Sequence, residues 1–179
     1  MQASDILYFW FEELTNKQHF VKDTALDTTM RERFGPTLEA AARCELFAWR
    51  TTPEGRLAEI LVLDQFSRNI FRDTPRSFAQ DPLGLVLAQE LVALGHDKHL
   101  TPKHRVFAYM PYMHSESLTI HAQAVQLFSQ AGIDENLNFE LRHKAIIERF
   151  DRYPHRNAIL GRTSSAQELA FLSEPGSSF

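Results

Sequence analysis

Apolar residues recur at helical spacing along almost the whole chain, and no stretch alternates with the two-residue period of a strand flanked by hairpin turns. Ser4 and Asp5 start a first helix that runs to Leu14, with Ile6, Phe9, Trp10 and Leu14 as its apolar stripe. A second helix covers 28–34, where Gly35-Pro36 breaks it, and a third covers 37–47. Thr52-Pro53-Glu54 reads as an N-cap, a proline in the first helical position and an acid in the first turn; it opens a central helix over 53–71. Asp81-Pro82 repeats cap plus proline ahead of a helix to Leu94 that Gly95 closes. Thr101-Pro102 opens a shorter helix ending near Met110, and Pro111 begins a break. Ser115 or Ser117 caps the next helix, which extends to Ala131 and is closed by Gly132. Further helices cover 138–150 and 156–160, the latter ending at Gly161. Ser164 or Ser165, each with Gln167 or Glu168 three residues on, forms a capping box for the last one.

This pattern predicts one all-α domain over 1–179, with about eight or nine helices joined by short links that favour antiparallel neighbours. Residues 172–179 read as a loose tail. A length of 179 residues suffices to bury a core without disulfide or metal support. The formal net charge of −4 speaks against general nucleic-acid binding, which needs a basic face. No apolar run approaches the length of a membrane span, and MQASDILYFWFEEL lacks both the basic start and the small-residue cleavage site of a signal peptide. Cys44 is the only cysteine, which excludes an internal disulfide and a CxxC-type site; it reads as a buried small hydrophobe in a reducing cytoplasm.

The densest chemistry lies in LVLDQFSRNIFRDTPRSFAQDP, over 61–82. At helical spacing Asp64, Gln65, Arg68, Asn69 and Arg72 share an arc of about 140°. Leu57 and Leu61 occupy the same arc one and two turns earlier, and Phe66 and Ile70 appear on the opposite face, so no stripe is wet along the whole helix. That is the pattern of a helix surrounded by others. Buried arginines require carboxylates or a ligand, and Arg68 and Arg72 are like charges one turn apart, so an anion is expected near them. Beyond the helix end the stretch continues with Arg76 and Asp81.

A second dense stretch is RFDRYPHRN, over 149–157. Pro154 forces an extended turn, after which His155, Arg156 and Asn157 begin a short helix; with Arg149 they could hold a carboxylate or phosphate. A salt-bridge network through Glu148 and Asp151 is the competing reading. His114-Ser115-Glu116 follows Pro111 at a chain break, where His114 could carry a proton and Glu116 could face the arginines. Glu90, an acid on an apolar stripe, is another arginine partner by this reading. His121 and His143 share stripes with Val125 and Phe128, and with Ile146 and Phe150, and read as satisfied core residues. There is no HExxH, clustered Cys/His, GxGxxG, Walker loop or GxSxG, so no metal and no cofactor is predicted.

LDQFSRNIFRDTPRSFAQDP, MPYMHSES and ERFDRYPHRNAILGR together resemble an uncharacterised bacterial family, domain of unknown function 924. The resemblance extends from the FWFEEL helix to the ELAFL helix. It implies an all-helical, tetratricopeptide-like right-handed superhelix and carries no activity to transfer, although no period near 34 residues is visible in the sequence itself. The family pattern is closer to RFGRFPHRN, so Asp151 and Tyr153 are departures, and position 151 need not supply an acid.

Three functions are open on these residues. The first is a helical binding protein whose internal pocket, lined by Asp64, Gln65, Arg68, Asn69, Arg72, Arg149, Arg156 and Asn157, holds a small anionic ligand or an acidic peptide end. The alternative is a cofactor-free enzyme with His114 or His155 as acid/base, oriented by Glu116 or Asp64. The third is a scaffold stiffened by a purely structural arginine network. Phe9, Trp10, Phe11 and Phe171 on the terminal helices exceed what one buried face needs and point to a homodimer.

Overall fold

The computed structural model describes residues 1–130 and 132–177 of the chain. Helices and turns account for all regular structure among them. Helix α1 (Ala3–Tyr8) passes directly into a π-helical turn, Phe9–Glu13. Helix α2 spans Thr24–Ala42. Helix α3 (Pro53–Leu61), a second π turn (Val62–Phe66) and α4 (Ser67–Ile70) form one continuous rod. Then follow α5 (Asp81–Ala93), α6 (Pro102–Met113), α7 (Leu118–Phe128), α8 (Leu137–Phe150), α9 (Asn157–Leu160) and α10 (Ala166–Leu172).

The rod is the middle of the molecule. α3 packs on α1, α5 and α6, while α2 lies along the π turn and α4; α7 and α8 extend the array from α6. Leu57, Ala58, Ile60, Leu61, Val62, Leu63, Phe66 and Ile70 are all buried, as the absence of a wet stripe predicts. Glu59, on the face away from the polar arc, is also buried, and it survives there by gripping Arg50 through two 2.7 Å hydrogen bonds. Thr52 accepts from the Gly55 amide as the predicted N-cap, and Gly55 must be glycine, because a Cβ would sit 1.9 Å from the Trp49 carbonyl oxygen.

Several boundaries differ from the sequence reading. Pro36 and Pro111 lie inside α2 and α6 and interrupt neither. Each forgoes a backbone hydrogen bond, at about 3 kcal/mol. The flanks are anchored well enough to bear that: Met30, Phe34 and Leu38 are buried around Pro36, and Met110, Tyr112 and Met113 around Pro111. The expected helix over 37–47 is therefore the second half of α2, which ends before Cys44. That cysteine is exposed with φ +59, not buried. The expected end of α7 at Ala131 falls outside the described residues; α7 itself runs to Phe128. Helix lengths of 19, 13, 12, 11 and 14 residues for α2 and α5–α8 follow no common repeat, and nothing in the arrangement confirms the tetratricopeptide-like superhelix.

The terminal-helix aromatics are consumed internally. Phe9 meets Phe34 at 4.6 Å between centroids, Trp10 meets Phe66 at 5.6 Å, and Phe11 meets Phe107 at 5.5 Å. Phe171 packs on Phe150 at 5.1 Å. Phe9, Trp10 and Phe11 are thus core, while Phe171 is only partly buried. Beyond α10 the chain turns back: the Ser177 hydroxyl donates to the Leu172 carbonyl, and Ser177 is buried.

Asp151 ends α8 with φ +57, the left-handed conformation in which glycine alone is unstrained. A glycine would adopt that geometry without strain. Asp151→Gly is expected to stabilise the protein by about 0.5 kcal/mol, the left-handed penalty less the extra chain entropy of glycine. Urea denaturation of both proteins checks the sign.

Candidate functional site

The 140° arc of the central helix is wide enough to face two neighbours, and it divides between them. Asn69 and Arg72 turn to α2, where Asp27 accepts from Asn69 Nδ2 at 2.8 Å and from Arg72 Nε and Nη2 at 2.6 and 2.8 Å. Asp64, Gln65 and Arg68 turn the other way, towards α5 and the end of α6. The π turn carries Asp64 and Gln65, and the inserted residue in such a turn re-aims the side chains around it.

Around Asp64 the groups interlock. His114, at the C-terminal cap of α6, donates Nδ1–H to Asp64 Oδ1 at 2.7 Å, and Gln65 Nε2 donates to Oδ2 at 2.6 Å. Arg68 Nη1 lies 2.9 Å from Asp64 Oδ1 and also reaches the Asp64 carbonyl. Both Arg68 amino groups then grip Asp81, at 2.9 and 3.0 Å. Arg156, from the second dense stretch, donates to the same Asp81 at 3.2 Å and to the His114 carbonyl at 3.0 Å. Its guanidinium is clamped between the rings of Phe78 and Tyr153, each 4.6 Å away. Arg68 and Arg156, 88 positions apart in the numbering, thus share one carboxylate.

Other predicted residues go elsewhere. Arg149 is exposed on α8, stacked over Phe150 and Phe171, and does not join the cluster. Asn157 is buried, but it donates to Ser164 and to Glu168, which is held by Arg152. Glu116 pairs with Arg162 at 2.7 and 2.9 Å and accepts from the Tyr153 amide; its charge also acts on Arg156, but its ion pair is with Arg162. Glu90 is exposed, and Arg76 lies on the surface over Phe71, paired with Glu39. His155 sits beside Tyr153 at 5.6 Å. His121 is a satisfied core residue, as expected, bonded to Glu140, Ser115 and Tyr153. Among the described residues no three His, Cys, Asp or Glu side chains meet as a metal-binding group, and no helix is long and apolar enough to cross a membrane.

Sequence reasoning missed the central acid. Asp81 was read with Pro82 as a helix cap, yet it occupies the first turn of α5 and directs its carboxylate to the two arginines. Its place within the arginine-rich stretch was the available signal. Only tertiary contact distinguishes an acid that caps its own helix from one that reaches across.

Burial alone would raise the pKa of Asp64, but the Arg68 charge, His114 and the Gln65 hydrogen bond overcome it and hold the carboxyl ionised far below its usual range. His114 is lowered, first by burial and then by the Arg68 charge, against the opposing pull of Asp64. It is therefore neutral at pH 7, with its one proton on Nδ1, and among the described residues no group bonds its Nε2. The side chain is 17% exposed, so that lone pair borders solvent. His143 and His155 are also neutral, pushed down by burial to about 3 and about 4.

These shifts carry a pH dependence. The three imidazoles bind protons more weakly folded than unfolded, so their contribution is complete above the ordinary value of 6.5 and is lost as pH falls towards the folded values. Glu140, raised by burial, works in the opposite sense for one group. Net stability is expected to fall between pH 6.5 and 5, by up to roughly 1.4 kcal/mol per histidine per pH unit. Equal urea midpoints at pH 7 and pH 5 would show that these imidazoles are charged in the native protein.

The chain is similar over residues 6–176 to a family described as a bacterial protein of unknown function, DUF924. It also resembles the solved structure of a protein of unknown function, ATU0120, from Agrobacterium tumefaciens: 37% identity, 96% of each chain covered and a TM-score of 0.87. No curated protein matches it. With the family pattern matched from α1 through the segment after α10, the chain belongs to the DUF924 family.

Proposed function

We propose that the cluster around His114 is a proton-transfer site, in which His114 Nε2 acts as a general base and Asp64 fixes the tautomer and ring orientation. The observation that carries this reading is the 2.7 Å Nδ1–Asp64 hydrogen bond on a neutral, partly exposed imidazole whose Nε2 is unengaged. A neutral histidine that donates through Nδ1 to a buried carboxylate offers its other nitrogen as an acceptor for an acidic O–H or N–H, or for a water. Arg68 and Arg156 hold the surroundings rigid through Asp81 and the His114 carbonyl. The anionic-ligand reading has less behind it, because Asp64 and Asp81 already balance the two guanidiniums.

Nitrogen-15 NMR at pH 7 is expected to show His114 protonated at Nδ1 and bare at Nε2; a protonated Nε2 would remove the base. Incubation with a bacterial metabolite extract, followed by mass spectrometry, is expected to reveal at least one compound that wild type converts and His114→Gln converts about 100-fold more slowly or worse. Identical conversion by both proteins sinks the reading.

The pairing of both Arg68 amino groups favours a second reading, a network that only stiffens the fold. Arg68→Met leaves two buried or half-buried acids short of a partner and is expected to cost about 3 kcal/mol in urea denaturation. If the network is structural alone, that loss comes with unchanged conversion of every compound at a temperature where the variant is folded.

A further inference from the structure

We propose that the groove between α8 and the segment following α10 binds a small amphipathic carboxylate, a short acyl chain whose head group sits against Arg149 and Arg142. The groove has a volume of about 300 Å³, at the small end of the range for ligand sites. It lies apart from the His114 cluster, so the inference stands independently of the function proposed there.

The face of α8 that opens into it repeats at helical spacing. Arg142, Ile146, Arg149 and Phe150 fall on one side of the helix, with the arginines roughly 10 Å apart along the axis. Phe171 from α10 supplies the opposite apolar wall, and Gly176 forms the far rim. Hydrocarbon and aromatic side chains therefore line the groove, and the two arginines stand at its rim.

The arginines of this groove differ from several others on the surface. Arg33, Arg43 and Arg76 are also surface arginines, and each grips a carboxylate of its own: Glu13, Glu45 and Glu39. Among the described residues neither Arg142 nor Arg149 holds an acid. Arg149 is instead fixed over the faces of Phe150 and Phe171, 4.7 and 5.6 Å from their centroids. A guanidinium stacked in this way keeps its N–H edge available for two parallel hydrogen bonds to a carboxylate. Arg142 lies against Gly176 so closely that a Cβ there would come within 2.7 Å of its Nη2. Both cations are thus positioned by apolar or backbone contacts, and no carboxylate among the described residues neutralises them. A ligand with one carboxylate and an apolar tail satisfies floor and rim together; inorganic anions or neutral hydrocarbons satisfy only one.

Titration of the full chain with sodium octanoate, 1-octanol and sodium acetate, followed by amide chemical shifts, tests this. Octanoate is expected to bind saturably, with shifts confined to 142–150 and 171–177, and octanol and acetate each about tenfold more weakly or worse. Arg149→Met is expected to weaken octanoate about tenfold while leaving octanol unchanged, and Arg142→Met to weaken it in the same direction. Both substitutions lie at a surface groove, and unchanged shifts elsewhere verify the fold. The proposal is overturned if octanoate fails to saturate, if it binds no better than octanol, if the shifts map elsewhere, or if both variants bind like wild type.

Discussion

Two guanidiniums converge on one carboxylate at the centre of this protein, and much of its architecture follows from the need to keep them there. Arg68 and Arg156 are largely removed from water, and an unpaired charge in that position would cost several kcal/mol. Asp81 binds both, Asp64 backs Arg68 from one turn earlier, and the rings of Phe78 and Tyr153 cover Arg156. The network joins the central rod, the start of α5, the end of α6 and the segment before α9. Elements distant in sequence are thereby fixed by charge as well as by apolar packing.

The same network gives His114 its character. Burial, and after it the positive charge of Arg68, lowers the imidazole pKa, while Asp64 claims the Nδ1 proton, so the ring is neutral yet held in one orientation. Removing either neighbour would change both properties together. A π turn in the rod makes the meeting of Asp64 with α6 geometrically workable, because it re-aims a pair of polar side chains out of an otherwise apolar helix. The cluster is a group of coupled charges that, among the described residues, leaves His114 Nε2 without a hydrogen bond.

Much of the fold was legible from periodicity and caps. The Thr52-Pro53 start, the Gly95 and Gly161 stops and the Ser165–Glu168 capping box all stand where local chemistry put them. Two prolines misled: Pro36 and Pro111 looked like breaks and are helix interior, since buried neighbours on either side outweigh one lost hydrogen bond. For the site, Arg68, Arg156, Asp64 and His114 were all named from sequence and do meet, whereas Arg149, Asn157, Glu116 and the Asn69–Arg72 pair were named and go to other partners.

By itself the sequence determined the helical class, the burial of the rod on all sides and the demand for acids near its arginines, because periodicity and the cost of an unpaired charge act locally. Which acid answers which arginine was decided only by the tertiary structure. Asp81, Glu116 and Glu90 are chemically alike in a list of residues and differ only in where their helices lie. The pairing depends on distances of 3 Å across helices whose rotation and offset are set by the whole packed core, and no local pattern encodes them.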